Sequence, residues 1–333
     1  MTYSRIAGIG HYVPENIINN QYLETLMDTS DAWITERTGI KERRYFTYGK
    51  DTNASMATEA AKIAIQRANT TAQEIDFIVY ATITPDYYFP GPGFIMQREL
   101  GMANVGVLDI RDQCSGFVYA LSVADQFIRS GMYKNILVIG SEIQSTFLNQ
   151  SNEGRGVAVI FGDGAGAVVV QATEDENHRI LSTHLHADGK YAEDLYVKDP
   201  GSSRKKRFYD DLLNDKSTGE VIMNGNAVFK HAIVRFPEVI KEALDKNGLA
   251  PTDIDLLVPH QANLRISEYV RQQMGLPEEK VMNNIQKYGN TTAASIPIAL
   301  CEAWETGRVK DGDLVCLAAF GSGFTWGSAL IRW

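Results

Sequence analysis

Cys114 stands between the apolar run Val105-Gly106-Val107-Leu108-Asp109-Ile110 and a stretch in which Phe117, Leu121, Ala124, Phe127 and Ile128 recur at helical spacing. That periodicity predicts a strand, a turn and a helix, with the thiol beside the first unpaired amides of the helix. A thiol so placed is expected to have a lowered pKa and to act as a nucleophile. A small buried thiol is also an ordinary core residue, but two further sites favour chemistry. His260, in Val258-Pro259-His260-Gln261-Ala262-Asn263-Leu264-Arg265, directly follows the apolar Leu256-Leu257-Val258 and precedes another helix-like segment. Asn290, in Gly289-Asn290-Thr291-Thr292, occupies a third such junction. If the three converge, a thiolate attacks while the imidazole and the amide stabilise charge or move protons.

The elements that must position these groups come in two copies. Lys62 to Val79 and Lys241 to Val258 align without a gap at an offset of 179 residues, each reading as helix, turn and strand. Ile136-Leu137-Val138-Ile139 matches Leu314-Val315-Cys316-Leu317 at an offset of 178, and Cys114 then corresponds to Asn290 at an offset of 176. An internal duplication accounts for the match. Two α/β halves with buried apolar strands predict layered sheets with helices between and outside them. The division is expected between Thr173 and His178, giving halves at 1–173 and 174–333, with the pocket at their seam.

Composition narrows the class. A 333-residue chain with 44% hydrophobic and 22% charged residues can bury a large core. Its net charge of −9 offers no global field for nucleic acid. No run approaches the roughly 20 apolar residues of a membrane span, and the first residues show no secretory h-region, so a cytoplasmic location is expected. The cysteines are Cys114, Cys301 and Cys316, without close-spaced pairs, which argues against a disulfide framework or a zinc site. Cys301 and Cys316 lie within helix-like and strand-like apolar runs and read as core. Gly162-Asp163-Gly164-Ala165-Gly166 lies between the strand-like Val157 to Phe161 and Ala167 to Val170. A dinucleotide site needs a helix directly after the glycines, so this reads as a close approach in a hairpin.

Across essentially its whole length the chain resembles the thiolase-fold condensing enzymes, and among them the β-ketoacyl-acyl carrier protein synthase III family. The motifs that carry the resemblance are Asp31 to Ile40, Cys114-Ser115-Gly116-Phe117, Phe161 to Gly166, Pro259-His260-Gln261-Ala262-Asn263, Gly289-Asn290-Thr291, and Phe320-Gly321-Ser322-Gly323-Phe324-Thr325-Trp326-Gly327. The resemblance implies a duplicated thiolase fold in α-β-α-β-α layers, and a homodimer. It implies that Cys114 takes an acyl group from coenzyme A, that His260 and Asn290 bind the malonyl carrier-protein thioester during decarboxylation, and that the backbone amides of Cys114 and Ser322 form an oxyanion hole. Trp33, Arg37 and Arg155 are implied for the adenine and phosphates of coenzyme A, and Gly225, Asn226 and Asn263 for its pantetheine arm. Phe89, Phe94 and Ile95 are expected to shape the acyl pocket together with the neighbouring subunit. Lys230, Arg265 and Arg271 are expected to form a basic patch for an acidic carrier protein. No metal or redox cofactor is implied.

The chain departs from the family at Arg111-Asp112-Gln113, where small residues are usual, and at Pro92 and Phe94. Both departures bear on the starter acyl group. The basic stretch from Gly201 to Asp211, containing Arg204-Lys205-Lys206-Arg207, reads as a solvated loop or as a flap at the entrance. Fatty-acid initiation from acetyl coenzyme A is the first expectation. A synthase taking a longer or branched chain for a specialised lipid, polyketide or quinolone is the second. A non-catalytic carrier-protein-binding subunit would have lost the nucleophile, and a cysteine hydrolase would not share the surrounding motifs.

Overall fold

The computed structural model describes residues 2–198, 201–202 and 221–333. Its first sheet is built from β1 (Tyr3–Tyr12), β2 (Phe77–Ala81), β3 (Gly106–Ile110), β4 (Asn135–Glu142) and β5 (Gly164–Thr173), in the order β1-β5-β4-β2-β3. Its second contains β6 (Arg179–Ala187), β7 (Leu256–Pro259), β8 (Leu314–Gly321) and β9 (Thr325–Arg332), in the order β6-β9-β8-β7. The two orders are the same once β1, β5, β4 and β2 are equated with β6, β9, β8 and β7. Directions agree as well: β2 and β4 run parallel, as do β7 and β8, and the remaining equivalent pairs are antiparallel. The fifth strand, β3, survives in the second sheet as a single parallel bridge between Leu257 and Val281.

Strand register corrects two of the offsets expected from sequence. Phe77 pairs with Ile136, and Leu256 with Val315, so both partners move by the same 179 residues and the strand match is not 178. The turns before the middle helices obey the same offset. Gln113 opens a 3₁₀ turn with φ +43°, and Thr292 opens its counterpart with φ +50°. Under that register Cys114 is equivalent to Ala293, not to Asn290. Asn290 instead lies two residues before the turn and is fixed by its own contacts.

Apolar faces explain the layers. Along β4 every residue after Asn135 is buried, as expected for a strand covered on both sides. Helices α1 (Asp31–Thr38), α2 (Asn53–Arg67), α3 (Pro92–Glu99) and α4 (Gly116–Arg129) belong to the first half. Helices α5 (Gly225–Asn247), α6 (Leu264–Met274) and α7 (Ser295–Glu305) belong to the second. Val79 and Val138 of one sheet, and Val258 and Leu317 of the other, meet Phe117 and Leu121 of α4 and Ile296 and Leu300 of α7 in one shared core. Their neighbours Ile78, Leu137 and Ile139 face outward onto α2, and Leu257, Cys316 and Phe320 face outward onto α5 and α6. Helix α2 is capped by Thr52, whose side chain accepts from Ser55 N, and it buries Ala54, Ala57, Ala60, Ala61 and Ala64. Those small residues admit β1 so closely that a Cβ on Gly8 would lie 2.2 Å from Ala64 O. Cys301 and Cys316 are buried, as the sequence suggests. Among the described residues no helix is long and apolar enough to cross a membrane.

Candidate active site

The three chemically suggestive residues line one cavity of about 550 Å³. Cys114 comes from the turn between β3 and α4, His260 from the residue after β7, and Asn290 from the approach to α7. Each is over 90% buried. His260 N donates to Ala318 O (2.8 Å), continuing the β7–β8 pairing past the strand end. Its Nδ1 lies 2.6 Å from Ser295 Oγ, while Nε2 is buried and has no partner among the described residues. Burial lowers the imidazole pKa to about 3, so His260 is neutral at physiological pH. Asn290 is pinned through its backbone, with its N donating to Ile160 O and its O accepting from Gly162 N. Its Oδ1 accepts from Thr292 N (2.9 Å), which leaves the amide's donor end to face the cavity.

The thiol contradicts one expectation. Cys114 does sit at the start of a helix, but its pKa is raised far above the ordinary thiol value. Burial is the main cause, and the negative charges of Glu142 and Asp112 add to it. The helix-terminal field does not outweigh loss of solvent in a closed cavity, so the resting nucleophile is a neutral thiol whose proton must leave as it attacks.

Glu142 was not visible as a site residue in the sequence, though it is the 179-residue counterpart of Gly321. Fully buried, its carboxylate accepts from Thr84 Oγ1 (2.6 Å), Thr82 Oγ1 (3.2 Å) and Ile83 N (3.2 Å), tying down the loop that lines the cavity through Ile83, Thr84 and Pro85. Burial raises it from 4.5 to about 8. Between those values the folded chain holds a proton that the unfolded chain releases, so stability falls as pH rises through this window. The limit is about 1.4 kcal/mol per pH unit for one group. Asp112 (about 7) and Asp163 (about 6) act in the same direction. Urea unfolding from pH 5 to pH 8 should therefore show a decline that Glu142→Gln makes shallower; equal slopes in the two proteins would refute the assignment.

The turn carrying Cys114 rests on the end of β8. A Cβ on Gly321 would lie 2.9 Å from Cys114 Cβ and 3.1 Å from its N. Gly321→Ala must therefore push the nucleophile by a few tenths of an ångström, and thiol acylation is expected to slow about tenfold, read by stopped-flow with thioester substrate. Ser322 lines the cavity beside it, and its hydroxyl donates to Leu195 O.

The other expected residues divide. Arg37 and Arg155 place their guanidinium carbons 4.7 and 5.6 Å from the Trp33 ring centroid, and Arg155 also pairs with Asp28. Trp33 is half-buried and packs partly on the core. Asn263 caps α6 and donates from Nδ2 to Arg37 O (2.9 Å), connecting this cluster to the cavity that Asn263 and Gly225 line. Asn226 is exposed and lies outside the lining. Phe89 and Phe94 are 80% and 46% exposed and, with Ile95, do not line this chain's cavity. Tyr88, Ile83 and Thr84 take that place. Lys230 and Arg265 are exposed at the cavity's apolar wall, Arg265 lying over Phe229. Arg271 is instead committed to Glu268 and donates to Leu276 O (2.7 Å), which withdraws it from a free basic patch. The Arg204 to Arg207 stretch lies outside the described residues.

The glycine-rich segment is also corrected in detail. Arg155–Ala158 is a helical turn, not a strand, and only Phe161 bridges, to Asn290. The strand β5 begins within the segment, at Gly164, and a Cβ on Gly162 would lie 2.2 Å from Tyr288 O. The close approach holds Asn290 in place and leaves no room for a phosphate.

Comparison with known proteins bears on the family and the fold. Residues 108–189 match the model of 3-oxoacyl-[acyl-carrier-protein (ACP)] synthase III, and residues 244–333 match the model of its C-terminal part. The β-ketoacyl-[acyl-carrier-protein] synthase III of Rhodospirillum centenum is 46% identical, covering 99% of both chains. The crystal structure of the 3-oxoacyl-[acyl-carrier-protein] synthase III of Aquifex aeolicus superposes with a TM-score of 0.90 at 45% identity, covering 99% of this chain and 100% of that one. The priming β-ketosynthase of the R1128 polyketide biosynthetic pathway also superposes at 0.90, with 30% identity, over 99% of this chain and 96% of that one.

Proposed function

The chain belongs to the 3-oxoacyl-[acyl-carrier-protein] synthase III family and is an acyltransferase of the condensing type, and from that premise we propose how its own residues carry the reaction. Cys114 attacks the carbonyl of an acyl-coenzyme A. The C–S bond to coenzyme A breaks, and the thiol proton passes to the departing coenzyme A sulfur. The neutral His260 offers Nε2 as a relay. Malonyl carrier protein then enters, and its carboxylate leaves as carbon dioxide. Negative charge develops on the thioester oxygen, where His260 Nε2–H and Asn290 Nδ2–H stabilise it as donors. The resulting carbanion equivalent attacks acyl-Cys114, forming a carbon–carbon bond, and the Cys114 sulfur leaves and regains a proton from solvent. Backbone amides of Cys114 and Ser322 hold the tetrahedral oxyanion. This chemistry needs no metal and no redox cofactor.

Ser295 serves both stages. Its hydroxyl can accept from Nδ1–H while Nε2 takes a proton, or donate to Nδ1 while Nε2–H donates. The observation that carries the reading is the shared cavity of Cys114, His260 and Asn290, with a neutral imidazole whose Nε2 is unpartnered.

Trp33, Arg37 and Arg155 would take the adenine and phosphates, and Gly225, Asn226 and Asn263 the pantetheine arm at the mouth. Lys230 and Arg265 are the cations left for a carrier protein. We read the chain as two thiolase-like halves, 1–173 and 174–333, acting in the cytoplasm as a homodimer. The edge strand β3 supports the dimer, since its outer backbone is unpaired and Leu108, Tyr87, Tyr88, Phe89 and Phe94 are exposed around it. Phe89 and Phe94 would then meet the partner's pocket. Acetyl-coenzyme A, initiating fatty acid synthesis, is the first starter. The second reading, a different starter in a specialised pathway, is favoured by the polar side chains of Arg111 and Gln113 in the cavity wall. The reaction is tested by incubating the protein with acetyl-coenzyme A and malonyl carrier protein. Formation of 3-oxobutanoyl carrier protein with equimolar carbon dioxide is expected. Carbon dioxide release without a new carbon–carbon bond would contradict the proposal.

A further inference from the structure

We propose that Arg111 recognises a carboxylate at the far end of the starter acyl group, so that short dicarboxylic acyl thioesters load in preference to neutral chains of the same length. The inference rests on the reading that Cys114 is acylated, and it names the acyl group's class. Arg111 lines the same cavity as Cys114. Two residues separate them, a chain distance of at most about 11 Å, so the guanidinium stands within reach of a short acyl chain.

Arg111 is exposed and its guanidinium is uncommitted. Among the described residues Arg111 makes no ion pair and no hydrogen bond, and its one recorded contact is the Tyr88 ring, 5.5 Å from the guanidinium carbon. Asp112 next to it does not pair with it; its buried Oδ2 has no partner among the described residues. Arg111 therefore offers an open fork of N–H donors, shaped for a carboxylate.

Polar and apolar side chains are mixed around the cavity, which Ile83, Pro85 and Phe147 of the first half also line. One wall, from α5 and α6, presents Val228, Phe229, Phe236 and Ile266. Around Cys114 the first half presents Thr84, Arg111, Gln113 and Gln144. The Gln113 side chain makes no hydrogen bond among the described residues, and Gln144 is held by its Nε2 donating to Thr292 Oγ1 (2.8 Å). A hydrocarbon tail would leave the side chains of Arg111 and Gln113 without partners, whereas a carboxylate would satisfy the arginine and accept from the Gln113 amide. Because Arg111 follows directly on the edge strand β3, a partner subunit covering that edge would strip water from the cation. A substrate carboxylate then offsets the desolvation.

The test compares chains of equal length. Intact-protein mass spectrometry follows acylation by succinyl- against butyryl-coenzyme A, and by glutaryl- against pentanoyl-coenzyme A, in the unmodified enzyme and in Arg111→Leu and Arg111→Lys. The expected result is faster loading of the carboxylated member of each pair by about tenfold or more in the unmodified enzyme. Arg111→Leu should reverse the preference and Arg111→Lys should retain part of it. Equal or faster loading of the neutral chains by the unmodified enzyme would overturn the proposal, whatever the variants do. Absence of any adduct with any thioester, acetyl-coenzyme A included, would instead overturn the underlying reading of Cys114.

Discussion

Asn290→Ala should lower condensation about 10²- to 10³-fold while leaving formation of the acyl-enzyme unchanged. The argument is that its amide acts on charge that appears only after the malonyl thioester begins to lose carbon dioxide, and removal of one such donor typically costs that factor. The side chain is already oriented, with Oδ1 held by Thr292 N and the backbone fixed on both sides by Ile160 and Gly162, so truncation removes a donor without releasing the loop. His260→Ala should lose condensation to a similar extent and also slow acylation, by a smaller factor, because its Nε2 relays the thiol proton. Rapid quench separates the two half-reactions. An Asn290→Ala enzyme that condenses at the original rate would contradict the roles assigned to this pair.

Cys114→Ser should abolish acyl-enzyme formation, with condensation falling about 10³-fold or more. Burial and the charges of Glu142 and Asp112 already hold the thiol in its neutral form. A hydroxyl, which is far harder to ionise than a thiol, has no stronger base at hand, because His260 is a weak one in this cavity. The substitution removes little volume, so the protein should remain folded with its melting temperature nearly unchanged. Retained acylation in the serine variant would move the nucleophile elsewhere in the chain.

Much of this site could be read before any fold was known. Cys114 and His260 follow apolar runs and Asn290 precedes a helix-like segment, and the duplicated helix, turn and strand at an offset of 179 suggest that such element ends converge. The sheet order and the shared middle layer follow from that repeat. What the sequence concealed were features set by neighbours distant in the chain. The raised thiol pKa comes chiefly from burial, with a smaller contribution from Glu142 at the end of β4, beside β2. The false equivalence of Cys114 with Asn290 arose because the repeat is carried by the left-handed residues Gln113 and Thr292, whose backbone geometry leaves no mark in residue type. Arg271 resembled a free surface cation, yet the glutamate three residues earlier on the same helix claims it. Phe89 and Phe94 are exposed and do not line their own chain's cavity, which residue type alone does not reveal.

The central claim is that Cys114 carries the acyl group through a two-stage transfer. The most direct measurement is a chase followed by intact-protein mass spectrometry: load the enzyme with acyl-coenzyme A, map the adduct by peptide digestion, then add malonyl carrier protein. The account predicts one acyl mass on the peptide containing Cys114, disappearing as 3-oxoacyl carrier protein forms in equal amount. An adduct on another residue, or one on Cys114 that persists or is only hydrolysed after malonyl carrier protein is added, would contradict it.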